Sequence, residues 1–195
     1  MNWFYTQANG RTALFYLYLA KFYLIFASGF FCFTLQAHNS GMYSKDEIKQ
    51  LRKEFWIVFA RRCEIIPQLR YKKKKWVLYD TGLAGIDLKF DVSRTEALVM
   101  IEINSRKEER RLEIFETLQK YSQFIEKGFD EPLEWDFCYT RESGQEVCRI
   151  YCLLSNVDFH RQDQWPNIYN FFIDNMLILE NNLMELKDIL DAELY

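Results

Sequence analysis

The sequence predicts an α+β domain over residues 42–195, with a five-stranded mixed or antiparallel sheet covered by helices in the order α-β-β-β-α-β-β-α. Three observations lead there. Segments 85–92 and 97–104 alternate apolar with polar residues, as do 135–139 and 147–154, and a short turn separates the members of each pair, which is the mark of a hairpin. Apolar residues recur at helical spacing before, between and after those pairs. Charge is also distributed abruptly: of 25 Lys+Arg and 28 Asp+Glu in 195 residues, only Arg11 and Lys21 precede Met42.

The elements follow in order. Ser44 with Glu47 three residues on is a capping box. It predicts a helix over 45–65 that buries Ile48, Leu51, Phe55, Val58 and Phe59 and stops before Pro67. Residues 68–75 form a basic connector, Trp76–Tyr79 a short strand, and Asp80-Thr81-Gly82 a turn. In the first hairpin, placing Ile86, Leu88 and Phe90 opposite Ile103, Ile101 and Val99 buries all six, and sets Asp87 across from Glu102 on the other face. Residues 106–127 read as a helix with Leu112, Phe115, Leu118, Tyr121 and Ile125 inward and Gly128 past its end. In the second hairpin, Trp135 opposite Cys152, Phe137 opposite Ile150 and Tyr139 opposite Cys148 make one buried face. That register leaves Asp136, Cys138 and Arg149 outside. His160 is expected on the surface. Asp163 and Pro166 then open a helical region carrying Trp165, Ile168, Tyr169, Phe172, Leu179, Leu183, Leu186 and Leu190 inward.

Residues 1–41 are set apart from this domain. They contain no acid and 12 of the 34 aromatic residues. Three readings stay open: an over-extended start before a natural Met42, a membrane anchor over 12–37 with the domain on the cytoplasmic side, or a signal peptide. A chain beginning at Met42 is expected to fold. Five Cys without a C-x-x-C pair, and only two His, argue against zinc and for a reducing, cytoplasmic compartment.

Composition excludes collagen-like and disordered classes, and the chain has neither a glycine-rich phosphate loop nor a nucleophile elbow. Within the domain, charge is polarised: 11 basic residues against four acids from Lys45 to Lys75, then 12 against 24 from Trp76 onward. The tract Tyr71-Lys72-Lys73-Lys74-Lys75-Trp76, with Arg61 and Arg62 on the preceding helix, is the candidate nucleic-acid contact, for DNA or RNA. The acidic C-terminal helices are the candidate contact for another protein.

Met42-Tyr43-Ser44-Lys45, Leu51-Arg52-Lys53-Glu54-Phe55-Trp56, Gly85-Ile86, Ile101-Glu102-Ile103, Arg149-Ile150-Tyr151 and Trp165-Pro166 resemble an uncharacterised bacterial family, the domain-of-unknown-function family 4268. The likeness spans nearly all of 42–195. It implies no established activity, although members joined to nuclease-like domains tilt the expectation towards DNA. A weaker, topological resemblance is to the restriction-endonuclease-like fold, in which an acid on one strand and a Glu-x-Lys on the next collect a divalent metal and a catalytic lysine. It implies Asp87 and Glu102 as catalytic and Mg²⁺-binding candidates, with Lys89 substituting for the lysine that Asn104 replaces. The function expected from sequence is therefore a nucleic-acid-associated domain, nuclease-like in topology and catalytically degenerate; the alternative is a non-enzymatic protein–protein interaction module. No other cofactor is expected. As a surface pair balanced by Lys89, Asp87 and Glu102 repel, so Glu102→Gln is expected to leave stability equal or slightly higher.

Overall fold

The computed structural model describes residues 43–70 and 81–195. Its first helix, α1 (Lys45–Glu64), starts where the capping chemistry puts it: the Glu47 backbone N–H donates to Ser44 Oγ at 3.3 Å, and the Ser44 N–H donates to the Glu47 carboxylate at 2.7 Å. Those bonds also hold the Glu47 carboxyl below its ordinary pKa. Pro67 ends the helical run and opens a single turn, α2 (Pro67–Arg70). Then come β1 (Ile86–Val92), β2 (Glu96–Ile103), α3 (Glu108–Lys120), α4 (Ser122–Ile125), β3 (Glu134–Thr140) and β4 (Glu146–Ser155). A 3₁₀ turn at Gln162–Gln164 leads into the long α5 (Trp165–Glu185) and α6 (Lys187–Leu194).

Among the described residues the sheet has four strands rather than five, ordered β1-β2-β4-β3, and every pairing is antiparallel. The expected strand at Trp76–Tyr79 lies outside the described residues, as do the leader, the span 12–37 and the lysine tract. No described helix is long and apolar enough to cross a membrane.

The β1–β2 register is the one that buries the alternating apolar residues: Ile86 faces Ile103, Leu88 faces Ile101, Phe90 faces Val99, and Asp87 faces Glu102. Gly85 sits at the entrance of β1 with φ +84°, a backbone that L side chains rarely adopt, and a Cβ there would stand 3.3 Å from Ile114 Cδ1. The second hairpin departs from expectation. Trp135 faces Ile150, Asp136 faces Arg149, and Tyr139 faces Val147, with one extra residue on β3 between Asp136 and Tyr139. That β-bulge breaks the alternation, so Tyr139 joins the face opposite the core and Phe137 is 38% exposed, its ring only edging Phe115. Phe137→Ala is therefore expected to cost about 1 kcal/mol, well short of a full core deletion, as urea denaturation can measure.

The helices gather on the other face, where Ile86, Leu88, Val99, Ile101, Ile103, Cys148 and Ile150 are buried with Phe55 and Phe59 of α1, Ile114 and Leu118 of α3, and Ile168 and Phe172 of α5. Helices α1 and α3 each keep the predicted stripe but for one position: Val58 and Leu112 are each 41% exposed, and Ile114 is buried instead of Leu112. The expected helix over 106–127 is divided at Tyr121, whose φ −104° and ψ 17° leave helical geometry and start the short α4. His160 is buried, contrary to expectation. It packs edge-on against Phe159 and Tyr43, and burial holds its pKa below the ordinary imidazole value.

Candidate functional site

The face of the sheet away from the helices carries the Asp87–Glu102 pair that the sequence singled out. Pairing across β1, β2 and β4 puts Asp87, Glu102 and Arg149 side by side, because each is out of phase with the buried residues of its strand. Glu102 occupies the centre and is only 1% exposed. Its Oε1 accepts from Lys89 Nζ at 2.6 Å and from Arg141 Nη2, and its Oε2 accepts from Arg149 Nε at 3.2 Å and Arg141 Nε at 3.4 Å. Lys89 Nζ also lies 3.2 Å from Asp87 Oδ2, which accepts a bond from Asn104 Nδ2. Arg149 lays its guanidinium on the Tyr139 ring, 3.5 Å from the centroid. Arg141 is itself steadied by Gln145, which donates onward to the Asn104 carbonyl.

Sequence reasoning brought Asp87, Glu102 and Lys89 together correctly. It missed Arg141 and Arg149, and so took a buried carboxylate ringed by three cations for an exposed repelling pair. Burial pushes the Glu102 pKa up, but hydrogen bonds and charge from Arg141 and Lys89 outweigh it, and the net shift is downward. The expectation that Glu102→Gln is neutral or stabilising is thus replaced by its opposite.

The donor set does not fit Mg²⁺. The ion was invoked to relieve two facing carboxylates, and Lys89 and the two arginines already occupy that role on both Glu102 oxygens. A divalent ion would have to displace Lys89 and an arginine from the same group. Among the described residues no group of three or more His, Cys, Asp and Glu is placed to hold a metal. A carboxylate saturated with donors is also a poor base. What the cluster does is tie β1, β2, β4 and the β3–β4 turn to one buried anion.

The nucleic-acid candidates lie elsewhere. Arg61 is exposed on α1, and Arg62, half-buried, donates to Asn170 Oδ1 at 2.6 Å. Since α1 packs on the core face, the fold does not bring either arginine to Glu102. Lys72, Lys73, Lys74 and Lys75 lie outside the described residues. The Glu102 face itself is acidic overall, because Asp91, Glu96, Glu134 and Asp136 share it with Asp87. The four described cysteines carry free thiols, and burial pushes Cys63 and Cys148 up to about 11 and Cys152 to about 12, far from nucleophilic use.

The helical layer presents two surfaces of opposite sign. Along α1, Lys49, Lys53 and Arg61 are exposed together with Asp46 and Glu64, whereas Glu47 is held in the capping box and Glu54 accepts from Gln50. Beside α6, helix α3 forms a shallow groove of about 570 Å³ lined by Glu109, Leu112, Glu113, Glu116, Lys120 and Glu193. Lys120 and the Tyr121 hydroxyl both meet the Glu193 carboxylate, which joins the two helices.

A family profile described as "Domain of unknown function (DUF4268)" matches residues 51–187, from the second turn of α1 to the start of α6. No curated protein and no solved structure matches the chain, and the likeness to restriction endonucleases finds no support among these comparisons. The match takes in both hairpins, the Glu102 cluster and most of the helical layer, so the chain belongs to the DUF4268 family.

Proposed function

We propose that this domain is a non-enzymatic interaction module that meets a cationic protein surface through the groove between α3 and α6. The observation that carries this reading is the pairing of Glu109, Glu113, Glu116 and Glu193 with exposed Leu112 in one open groove. Acids at the rim steer a basic partner, and the apolar residue between them gives the contact something to bury. The saturated state of Glu102 speaks against hydrolysis. Charge speaks against a polyanion as the main ligand: the described residues carry 19 Lys+Arg against 27 Asp+Glu.

A nucleic-acid reading keeps one specific support, the exposed Lys49, Lys53 and Arg61 on the helix that precedes the lysine tract. Fluorescence anisotropy separates the two. A synthetic helix of alternating lysine and leucine faces is expected to bind at low salt, and the double reversal Glu113→Lys with Glu116→Lys to weaken it by about tenfold. A labelled DNA duplex or single strand is expected to bind weakly and to be lost as salt approaches physiological strength. Tight DNA binding at physiological salt, or peptide affinity indifferent to the reversal, overturns the proposal.

A further inference from the structure

We infer that the occupant of the α3–α6 groove is the exposed side of α1 from a second copy of this chain. This rests on the interaction reading above and names its partner.

The outward side of α1 combines cations with apolar residues. Lys49, Lys53, Ile57 and Arg61 are spaced four apart, so they fall on one line along the helix. Ile57 and Val58 are each 41% exposed beside that line, and Ile65, just past the helix end, is 78% exposed. Solvated lysines need no such company. A phosphate backbone has no use for it either, whereas a groove that sets an exposed leucine among carboxylates does.

The groove has the matching parts. Glu109 and Glu113 are also four apart, giving both charge pairs a spacing of about 6 Å along their helices. A helix laid against α3 therefore meets carboxylates at the interval of its own ammonium groups. Leu112 of α3 stands exposed in the groove, where Ile57 would seat. The excess of acids repels a second polyanion. It does not repel a copy whose basic stripe and acidic groove are on different elements. Because stripe and groove lie on different elements, the contact is made either twice, in a closed two-fold dimer, or once per pair, propagating as a ring or a filament.

Sedimentation of the full chain tests this over a concentration series at low and high salt. The parent is expected to show a weight-average mass that at least about doubles with concentration and returns to the monomer value at high salt. Two variants, Lys49→Glu with Lys53→Glu and Glu109→Lys with Glu113→Lys, should each stay folded and monomeric, the second melting somewhat below the parent because Glu113 pairs with Arg110 at 2.7 Å and Glu109 lies in the first turn of α3. An equimolar mixture of the two should associate again, since each then offers the surface the other has lost. A monomeric parent overturns the inference, as does association that survives both reversals. If the α1 reversal abolishes binding of a short DNA duplex and leaves the mass unchanged, nucleic acid is the occupant of α1 and the inference fails. A monomeric parent that still binds the lysine–leucine helix in its groove overturns the second copy as partner and leaves the interaction reading standing.

Discussion

Glu102→Gln is expected to destabilise the domain by about 3 kcal/mol, with the whole loss visible at neutral pH. The amide keeps the shape of the side chain and removes the anion. Lys89 and Arg141 are partly exposed and recover some hydration, which limits the cost. Arg149 is not so placed: its side chain is only 10% exposed, and it is left beside a neutral group. The pH dependence has a definite sign. Because the folded-state pKa of Glu102 lies below the unfolded value, its contribution is present above about pH 4.3 and is lost as pH falls through the folded value. Urea midpoints of parent and variant should differ most at neutral pH and converge in acid. A variant as stable as the parent at pH 7 would mean that the cluster is solvated and contributes little.

Phe172→Ala is expected to cost about 4 kcal/mol. Phe172 is fully buried in α5, and its ring lies 4.8 Å from Phe90, 5.5 Å from Phe59, 6.0 Å from Trp56 and 6.3 Å from Phe55. It is thus where α1, β1 and α5 meet. Alanine would leave a cavity bounded on several sides by rings that are themselves held in place. The Tyr169 hydroxyl bonds the Phe55 carbonyl at 2.9 Å, and Trp165 Nε1 bonds the Phe159 carbonyl at 2.7 Å, so collapse around the gap is restricted. Phe172→Leu should recover a large part of the loss. A denaturation midpoint for Phe172→Ala within error of the parent would place the packing centre elsewhere.

The parts of the fold that were legible in the sequence are those fixed by near neighbours. The capping box at Ser44 and Glu47 acts over three residues. The first hairpin register follows from three apolar residues on each strand and a short turn, and Asp87 and Glu102 met as those patterns required. What was not legible depends on distant partners. Arg149 reaches Glu102 only because β4 pairs with β2, across 47 residues, and Arg141 does so from a turn 39 residues away. A reader of strand patterns sees an arginine on an outward position and calls it solvated. The signal that the sequence does hold is the opposite charge of Arg149 and Glu102, which face each other once β2 and β4 are paired. The bulge in β3 was hidden for a related reason. Alternation counts faces, and one added residue at Phe137–Cys138 transfers Tyr139 to the side where Arg149 needs an aromatic surface.

That extra residue has a consequence for the outer border of the sheet. Among the described residues β3 is the terminal strand on its side, and a terminal strand offers a ladder of amide donors and acceptors to any extended peptide that drifts past. Here the ladder is out of step at its middle, with Asp136 Oδ1 accepting from the Cys138 amide at 3.1 Å. An incoming strand finds only short stretches in phase on either side of the kink. The border carries a partly exposed phenylalanine and an exposed thiol, both of which invite adhesion, and the bulge interrupts the ladder that an added strand would need.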